Sequence, residues 1–279
     1  MDARLQRRVQ RYGWDRAAAH YEQYWSRQLY PAQQRLLELA ELKTGDRAID
    51  IACGTGLVTF PAADAVGPTG AIVATDLSDV MVAHVAQEAR RRGLGYVSAQ
   101  RMDAEALECP DGSFDVALCS LGVMYVPDPL QALSEMHRVL RLGGRAVVST
   151  WGRRDRCGWA EIFPIVDRRV ASEVCPMFFQ LGTGDNLQHV MAGAGFVEVE
   201  VVRLPSTLQY ESAEAACGAA FAGGPVALAY SRFDEPTRAT AEAEYLASIE
   251  PWRAGERYDV PGEFVVARGR KNDDQRRNR

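Results

Sequence analysis

Between residues 43 and 151, short apolar runs alternate with longer stretches in which apolar residues recur at helical spacing. Turn segments such as GPTG and LGG separate several of these runs. A regular alternation of strand and helix patterns predicts an α/β fold with a doubly wound, mostly parallel sheet and right-handed crossovers. The predicted strands are RAIDIA, AIVATD, YVSAQRMD, FDVALCS and RAVVSTW.

The pattern changes on both sides of this region. Residues 1–42 are rich in aromatic residues and helical in pattern, so we assign them to an N-terminal helical segment, with 43–151 as the core. In the remainder, 152–279, two late strands are expected to complete the same sheet, while helical insertions form a cap. These strands are predicted near 197–204 and 263–269, and the insertions span 152–192 and 205–258.

Composition narrows the function classes. With 279 residues and 47% hydrophobic residues, the chain can bury a sizeable core. No apolar run approaches the roughly 20 residues of a membrane helix, and the first residues do not resemble a secretory signal. We therefore expect a cytoplasmic protein without membrane insertion.

Charge and cysteine spacing exclude further classes. A net charge of −5 argues against nucleic-acid partners. Six scattered cysteines, without clustered metal-ligand spacing, argue against disulfides or a metal site.

The segment IDIACGTG joins the first predicted strand to the first helix. In open α/β sheets, ligands bind beyond the carboxyl ends of the strands, where this turn approaches them most closely. Gly54 and Gly56 suit such a turn, because a side chain there would meet a ligand or require disfavoured backbone angles. A tight turn without a ligand is the alternative explanation.

Three acids follow successive strands. Asp76, 22 positions after Gly54, is placed to accept hydrogen bonds from ribose hydroxyls. Asp50 near the turn would repel a pyrophosphate, and Thr59 occupies the third position of a dinucleotide fingerprint. Asp103 ends the third strand and either faces an adenine or caps the next turn. This charge pattern favours a cationic nucleoside without phosphate, such as S-adenosylmethionine.

Four segments together resemble the class I S-adenosylmethionine-dependent methyltransferases, and particularly the ubiquinone/menaquinone-biosynthesis C-methyltransferases. The resemblance implies a Rossmann-like, seven-stranded sheet with an antiparallel last strand, and S-adenosylmethionine as cofactor. Ala52 departs from the family pattern, in which a further glycine is common. The matching segments are IDIACGTG (49–56), VATDLSDVMV (73–82), MDAEALECPDGSFDVALCSLGVMYVPDP (102–129) and ALSEMHRVLRLGGRAVVSTWG (132–152).

The resemblance also implies roles for individual residues. Asp50 is expected near the methionine ammonium, Asp76 at the ribose hydroxyls, and Asp103 with Ala104 at the adenine edge. Tyr21 lies in the N-terminal segment, which in this family closes over the cofactor; packing is the alternative role for this tyrosine. The full set of predicted cofactor residues is Tyr21, Asp50, Ala52, Gly54, Gly56, Asp76, Leu77, Met81, Asp103, Ala104, Cys119, Ser120 and Leu121.

Methyl transfer from a sulfonium is an in-line displacement, so a general base is needed only when the accepting atom carries a proton of high pKa. His20 and His189 are the candidate bases. A small or medium-sized organic acceptor, methylated on carbon or oxygen, is expected among aromatic residues of the cap, although aromatic residues at such spacing more often form core. The candidate substrate-binding residues are Trp25, Tyr125, Trp159, Phe163, Phe178, Phe179, Phe221 and Tyr230.

Two alternatives to a methyltransferase stay open at this point. A nicotinamide-dependent oxidoreductase shares the strand, the glycine turn and the ribose acid. Thr59 argues against it, because the dinucleotide-binding pattern has a glycine at this position. A non-catalytic module on the same fold would bind the methyl donor without turnover.

Overall fold

The computed structural model describes residues 2–170 and 178–272. Its first element is a single helix, α1 (Ala3–Ala40), where the sequence pattern predicts helical structure. The side chain of Asp2 caps its N-terminus by accepting the N–H of Arg4, and the helix ends where Glu41 adopts a left-handed conformation. Residues near the start of α1 and residues farther along it contact different parts of the chain: Arg7 forms an ion pair with Asp103, whereas Gln28 hydrogen-bonds to Gln209.

The sheet confirms the predicted α/β architecture. Strands β1 to β5 pair in parallel, in the order β3-β2-β1-β4-β5, and β8 inserts antiparallel between β5 and β6. The switch in strand order between β1 and β4 creates the crevice where ligands bind in such sheets. The strands are β1 (Arg47–Ile51), β2 (Ala71–Asp76), β3 (Val97–Arg101), β4 (Phe114–Ser120), β5 (Leu140–Trp151), β6 (Val197–Tyr210), β7 (Arg253–Ala254) and β8 (Arg257–Arg270).

Two strands are longer than the sequence predicts, which corrects the boundaries of the cap insertion assigned to 205–258. β6 continues through Pro205 to Tyr210, and β8 begins before Pro261. Both prolines resemble turn signals in the sequence. Pro205 is tolerated because β6 lies at the edge of the sheet, and Pro261 because β8 pairs with β5 only from Phe264 onward. Each proline therefore lies where one side of its strand makes no backbone hydrogen bonds to a neighbouring strand. The two-residue β7 adds an eighth strand beside β8.

Helices cover both faces of the sheet. Side chains of Ser78, Asp128, Ser212 and Asp234 cap four of them by accepting a backbone N–H from the first turn. The helices after α1 are α2 (Thr59–Val66), α3 (Asp79–Arg91), α4 (Pro129–Val139), α5 (Ile162–Asp167), α6 (Asn186–Gly193), α7 (Ala213–Cys217), α8 (Ala227–Tyr230) and α9 (Glu235–Ile249). A π-helical turn, Gly218–Ala222, follows α7 directly.

The segment that contains α7 and α8 packs against the middle of α1. A Cβ on Gly218 would lie within 2.6 Å of the Tyr24 ring, and a Cβ on Gly223 would lie 3.3 Å from the ring of Trp25. Small residues therefore let this part of the cap approach the aromatic side chains of α1. No helix in the described part of the chain combines the length and apolarity that crossing a membrane requires.

Candidate active site

A cavity of about 780 Å³, its opening included, lies between α1 and the carboxyl ends of β1, β2 and β4. We call it the strand-end cavity. Of the thirteen predicted cofactor residues, the structure brings ten to its wall. These ten are Tyr21, Ala52, Gly54, Asp76, Leu77, Met81, Asp103, Ala104, Ser120 and Leu121. The rest of its wall is Arg7, Gln10, Trp14, Ile51, Met102, Glu105, Gly122, Tyr125, Val126 and Pro127.

The turn after β1 needs unusual backbone angles. Gly54 and Ala52 have φ values of 55° and 56°, in the left-handed region that favours glycine. Ala52 thus occupies a conformation that explains why glycine is common at this position of the family pattern. Gly56, with φ 95°, does not line the cavity; a Cβ there would lie 2.5 Å from the ring of Phe60. The second glycine is therefore required for packing of α2 against the turn.

Asp76 stands at the end of β2 and faces this turn. Its two carboxylate oxygens accept the backbone N–H groups of Gly54 and Ser78, each at 2.9 Å. Burial raises the pKa of Asp76 above its usual value, and the two N–H donors act in the opposite direction. Asp76 therefore links two loops at the cavity wall while its carboxylate lines the space between them.

Asp50 lies beneath the turn rather than on the cavity wall. Its side chain is 1% exposed and accepts a hydrogen bond from the hydroxyl of Thr59 at 2.6 Å. Burial raises the pKa of Asp50 to about 7, although the Thr59 hydrogen bond favours the ionised form. Thr59, at the third position of the dinucleotide fingerprint, is thus the partner of this carboxyl group.

Asp103 lines the strand-end cavity and also caps the turn that follows β3. One oxygen accepts the N–H of Glu105 at 3.0 Å, as a turn cap does, while the other lies 2.8 Å from the guanidinium of Arg7. Arg7 also reaches the nearly buried carboxylate of Glu105, at 2.7 Å. Burial raises the pKa of Glu105, and Arg7 opposes that shift. The sequence gives no signal for Arg7, because almost a hundred residues separate it from its partners.

Further polar contacts hold the first half of α1 over the strand-end cavity. Ser78 donates to Asp15 at 2.5 Å, and Arg11 forms an ion pair with Asp79. Tyr21, which follows Asp15 by six positions on the helix, lies so close to the glycine turn that a Cβ on Gly54 would be 3.8 Å from its ring. Burial raises the pKa of Tyr21 well above its usual value, so its hydroxyl stays protonated.

A second cavity, of about 340 Å³ with its opening, adjoins the first. We call it the tryptophan cavity. The two share Trp14, Tyr21, Leu121 and Tyr125. The remaining wall of the tryptophan cavity is Trp25, Leu29, Trp151, Trp159, Phe178, Gly224 and Pro225.

Comparison with known proteins identifies the family. A family profile described as a methyltransferase domain matches residues 49–148. Over 255 residues the chain is 31% identical to nocamycin O-methyltransferase of Saccharothrix syringae, an alignment that covers 86% of this chain and 91% of that relative. The chain belongs to the class I S-adenosylmethionine-dependent methyltransferases.

Two further similarities agree with this assignment. The methyltransferase is 29% identical over 209 residues to demethylmenaquinone methyltransferase of Geobacillus kaustophilus, covering 67% of this chain and 88% of the relative. The crystal structure of the YcgJ protein from Bacillus subtilis has the same fold, with a TM-score of 0.61 at 17% identity, and covers 88% of this chain and 99% of that one. Membership in an enzyme family that uses S-adenosylmethionine sets aside the nicotinamide-dependent and non-catalytic alternatives.

The strand-end cavity of the methyltransferase suits this cofactor. Its wall offers the carboxylates of Asp76 and Asp103, the bare backbone at Gly54, and the apolar side chains of Leu77 and Met81. Carboxylates and backbone groups match the hydroxyls and amino groups of a nucleoside, while apolar side chains match the faces of its base. Acidic groups also suit a ligand that carries an ammonium and a sulfonium.

Both candidate bases of the methyltransferase lie away from these cavities. His20 and His189 are exposed, and neither lines the strand-end or the tryptophan cavity. Cys119, a predicted cofactor residue, is buried behind the cavity wall, where burial raises the pKa of its thiol to about 12. The structure therefore does not bring these three residues to the site.

The predicted substrate residues of the methyltransferase divide into two groups. Trp25, Tyr125, Trp159 and Phe178 line the tryptophan cavity. Phe163 and Phe179 do not line it, and instead pack behind Trp159 with ring centroids 5.9 and 5.7 Å away. Phe221 and Tyr230 pack on each other within the cap, their centroids 4.9 Å apart, and also lie outside the cavity wall.

Proposed function

We propose that this methyltransferase methylates an acidic oxygen of a small, largely apolar organic molecule, held in the tryptophan cavity beside the cofactor. The observation that carries the proposal is the shared wall of the two cavities. Trp14, Tyr21, Leu121 and Tyr125 each line both spaces, so ligands in the two cavities would meet at these side chains. Such a junction is where a methyl group can pass directly from donor to acceptor.

The cofactor supplies an activated methyl group on a sulfonium, and what remains for the protein is to hold and shield the reactants. Orientation of two bound reactants can contribute roughly 7–11 kcal/mol to such a displacement. Trp14 packs edge-on against Tyr21 and Tyr125, with ring centroids 5.7 and 5.2 Å apart. These rings surround the junction with apolar surface, which excludes water from it.

The finer cofactor assignments belong to the same proposal. Asp76 would bind the ribose hydroxyls, and Asp103 with Ala104 would recognise the adenine edge. Tyr21 on α1 would close over the methionine end. Asp50, buried beneath the glycine turn and bonded to Thr59, would act electrostatically on the cationic end rather than by direct contact.

The choice of an acidic oxygen rests on the residues of the acceptor site. Among the described residues that line the tryptophan cavity there is no aspartate, glutamate, histidine, lysine or arginine. Tyr21 does not serve as a base, because burial keeps its hydroxyl protonated. An acceptor without a base must lose its proton easily, as an enol, an acidic phenol or a carboxylic acid does. The similarity to an O-methyltransferase supports oxygen as the accepting atom.

A comparison of two acceptors tests the proposal. The protein is incubated with S-[methyl-¹³C]adenosylmethionine and either 4-hydroxycoumarin, an acidic enol, or 2-(2-naphthyl)ethanol, an unactivated alcohol of similar size. We expect ¹³C-methylation of the enol oxygen alone, identified by mass spectrometry and NMR. A rate that stays flat at every pH above the pKa of the enol would agree with the absence of a base. Equal methylation of the alcohol, or methylation only at carbon, would contradict the proposal.

A further inference from the structure

Two buried tryptophans of the acceptor site have no partner for their indole N–H. Trp25 is 6% exposed and Trp159 is 3% exposed, and within the described residues neither Nε1 makes a hydrogen bond. A buried polar group normally has a hydrogen-bond partner, so an unpaired donor at a cavity wall indicates that a bound ligand supplies the acceptor. Both residues line the tryptophan cavity.

The two indoles come from different parts of the chain and meet around Trp151. Their ring centroids lie 6.2 Å apart, and Trp151 lies 6.1 Å from Trp25 and 4.7 Å from Trp159. α1 carries Trp25, the end of β5 carries Trp151, and a 3₁₀ turn carries Trp159. The arrangement is therefore set by three separate elements.

Glycine keeps space beside one of these N–H groups. A Cβ on Gly223 would lie 3.3 Å from Nε1 of Trp25, and the neighbouring Gly224 forms part of the cavity wall. Any larger residue at 223 would crowd the indole nitrogen. The protein thus combines two buried, unpaired donors with a small residue beside one of them.

We propose that Trp25 and Trp159 donate hydrogen bonds to oxygen atoms of the methyl acceptor, and that the site selects molecules whose acidic hydroxyl is conjugated to a carbonyl group. An indole N–H donates and cannot accept, so it favours carbonyl or enolate oxygens over amino groups. The other described residues of this wall are aromatic or aliphatic, and their polar groups are the indole N–H groups of Trp14 and Trp151, the tyrosine hydroxyls and the backbone. The donors therefore distinguish oxygen-bearing ligands from plain hydrocarbons of the same size.

This inference rests on the proposed function, because it takes the tryptophan cavity as the acceptor site. It also explains how a site without a base could work. Conjugation to a carbonyl lowers the pKa of a hydroxyl and spreads the resulting negative charge over both oxygens. Donors at the second oxygen stabilise that anion within an apolar cavity, where an unpaired charge would be strongly disfavoured.

Calorimetry with matched ligands and variants tests the inference. The ligands are 2-hydroxy-1,4-naphthoquinone, which carries the conjugated carbonyls, and 2-naphthol, which lacks them; both are titrated in the presence of S-adenosylhomocysteine. The variants Trp25→Phe and Trp159→Phe each remove an N–H and keep an aromatic ring, and Phe178→Leu, which alters the same cavity wall without removing a donor, is the control. We expect each test variant to weaken quinone binding about three- to tenfold, as loss of one hydrogen bond should, and to change naphthol binding less than twofold. Phe178→Leu should affect both ligands equally.

A measurement on the unmodified protein covers the case in which a variant does not fold. In a ¹H–¹⁵N spectrum, the quinone should shift the indole resonances of Trp25 and Trp159 downfield and leave that of Trp252, which lies outside the cavity wall, in place. Three results would each overturn the inference: equal affinity of the unmodified protein for the two ligands, an equal loss of affinity for the quinone and for the naphthol in the test variants, or indole resonances that the quinone does not shift. Failure of the proposed function is seen separately, as absence of S-adenosylhomocysteine binding or of methyl transfer to any acceptor.

Discussion

The carboxylate of Asp76 accepts the backbone N–H of Gly54 at 2.9 Å. This bond joins the end of β2 to the turn that follows β1, and the same carboxylate lines the strand-end cavity. One acid thus shapes the glycine turn and is available to a ligand at that turn. A second oxygen bonded to Ser78 fixes the orientation of the carboxylate.

Replacing Asp76 should weaken cofactor binding. We expect Asp76→Ala to raise the dissociation constant of S-adenosylmethionine more than tenfold, because charge-assisted hydrogen bonds to the ribose would be lost together with the support of the turn. Asp76→Asn keeps an oxygen that can accept one N–H and should show a smaller loss. Isothermal titration calorimetry measures both, and an affinity unchanged in the alanine variant would remove Asp76 from the binding site.

Asp50 should make stability depend on pH. Since burial raises its pKa from 3.8 to about 7, the folded state binds a proton between these values that the unfolded state does not. The free energy of unfolding should therefore decrease as pH rises from about 4 to about 7, and the Asp50 contribution should level off above that range.

Asp50→Asn isolates this contribution, because the amide oxygen can still accept the Thr59 hydrogen bond without ionising. The variant should be more stable than the unmodified protein at pH 8, by up to about 4 kcal/mol, with the difference diminishing toward pH 4. Urea unfolding of the cofactor-free protein at several pH values measures it. The same pH slope in both proteins would show that Asp50 is not the responsible group.

Arg7 should hold the start of α1 over the strand-end cavity. Arg7→Ala leaves the nearly buried Glu105 without its cation, and we expect faster hydrogen exchange of the amides in residues 6–14 and weaker cofactor binding. Arg8→Ala, which truncates an exposed side chain one position along the same helix, is the matched control and should change neither. Similar exchange rates in the two variants would argue that the ion pairs of Arg7 do not anchor the helix.

Glycine at position 52 should be tolerated or even stabilising. Ala52 has a φ of 56°, and a left-handed conformation costs an alanine about 1–2 kcal/mol, whereas the extra freedom of glycine in the unfolded chain costs about 0.5–1 kcal/mol. Ala52→Gly should therefore raise the free energy of unfolding by 0 to about 1.5 kcal/mol. Ala48→Gly, a buried control within β1, should lower it; a clear loss in both variants would contradict the backbone argument.

The two histidines named from the sequence should be dispensable for turnover. His20 and His189 are exposed and lie outside both cavities, so His20→Ala and His189→Ala should each keep kcat/KM within about twofold of the unmodified protein. Steady-state assays with the acceptor found in the ¹³C experiment measure this. A hundredfold drop in kcat for either variant would restore that histidine as a base.

The sequence by itself determined the order of strands and helices, the glycine turn and the acids at the strand ends. These features are local: hydrophobic periodicity and turn residues specify them within a few positions, and the parallel sheet then gathers consecutive strand ends at one edge. Asp76 and Asp103 could therefore be placed at one cavity before any coordinates. The sequence did not predict that β6 and β8 extend through their prolines, because a proline is tolerated only where one side of the strand has no neighbour, and the neighbours of a strand are set by the sheet.

Only the tertiary structure decided which distant residues meet. The path of the single helix α1 across the sheet brings Arg7 to Asp103, places Trp25 beside Trp151 and Trp159, and turns His20 toward solvent. Periodicity shows that a helix has an apolar face, but not which side chains from other elements pack against it. The indole donors of the acceptor site come together because α1, β5 and a 3₁₀ turn pack against one another. No single stretch of sequence specifies that packing, so the sequence alone does not reveal these donors.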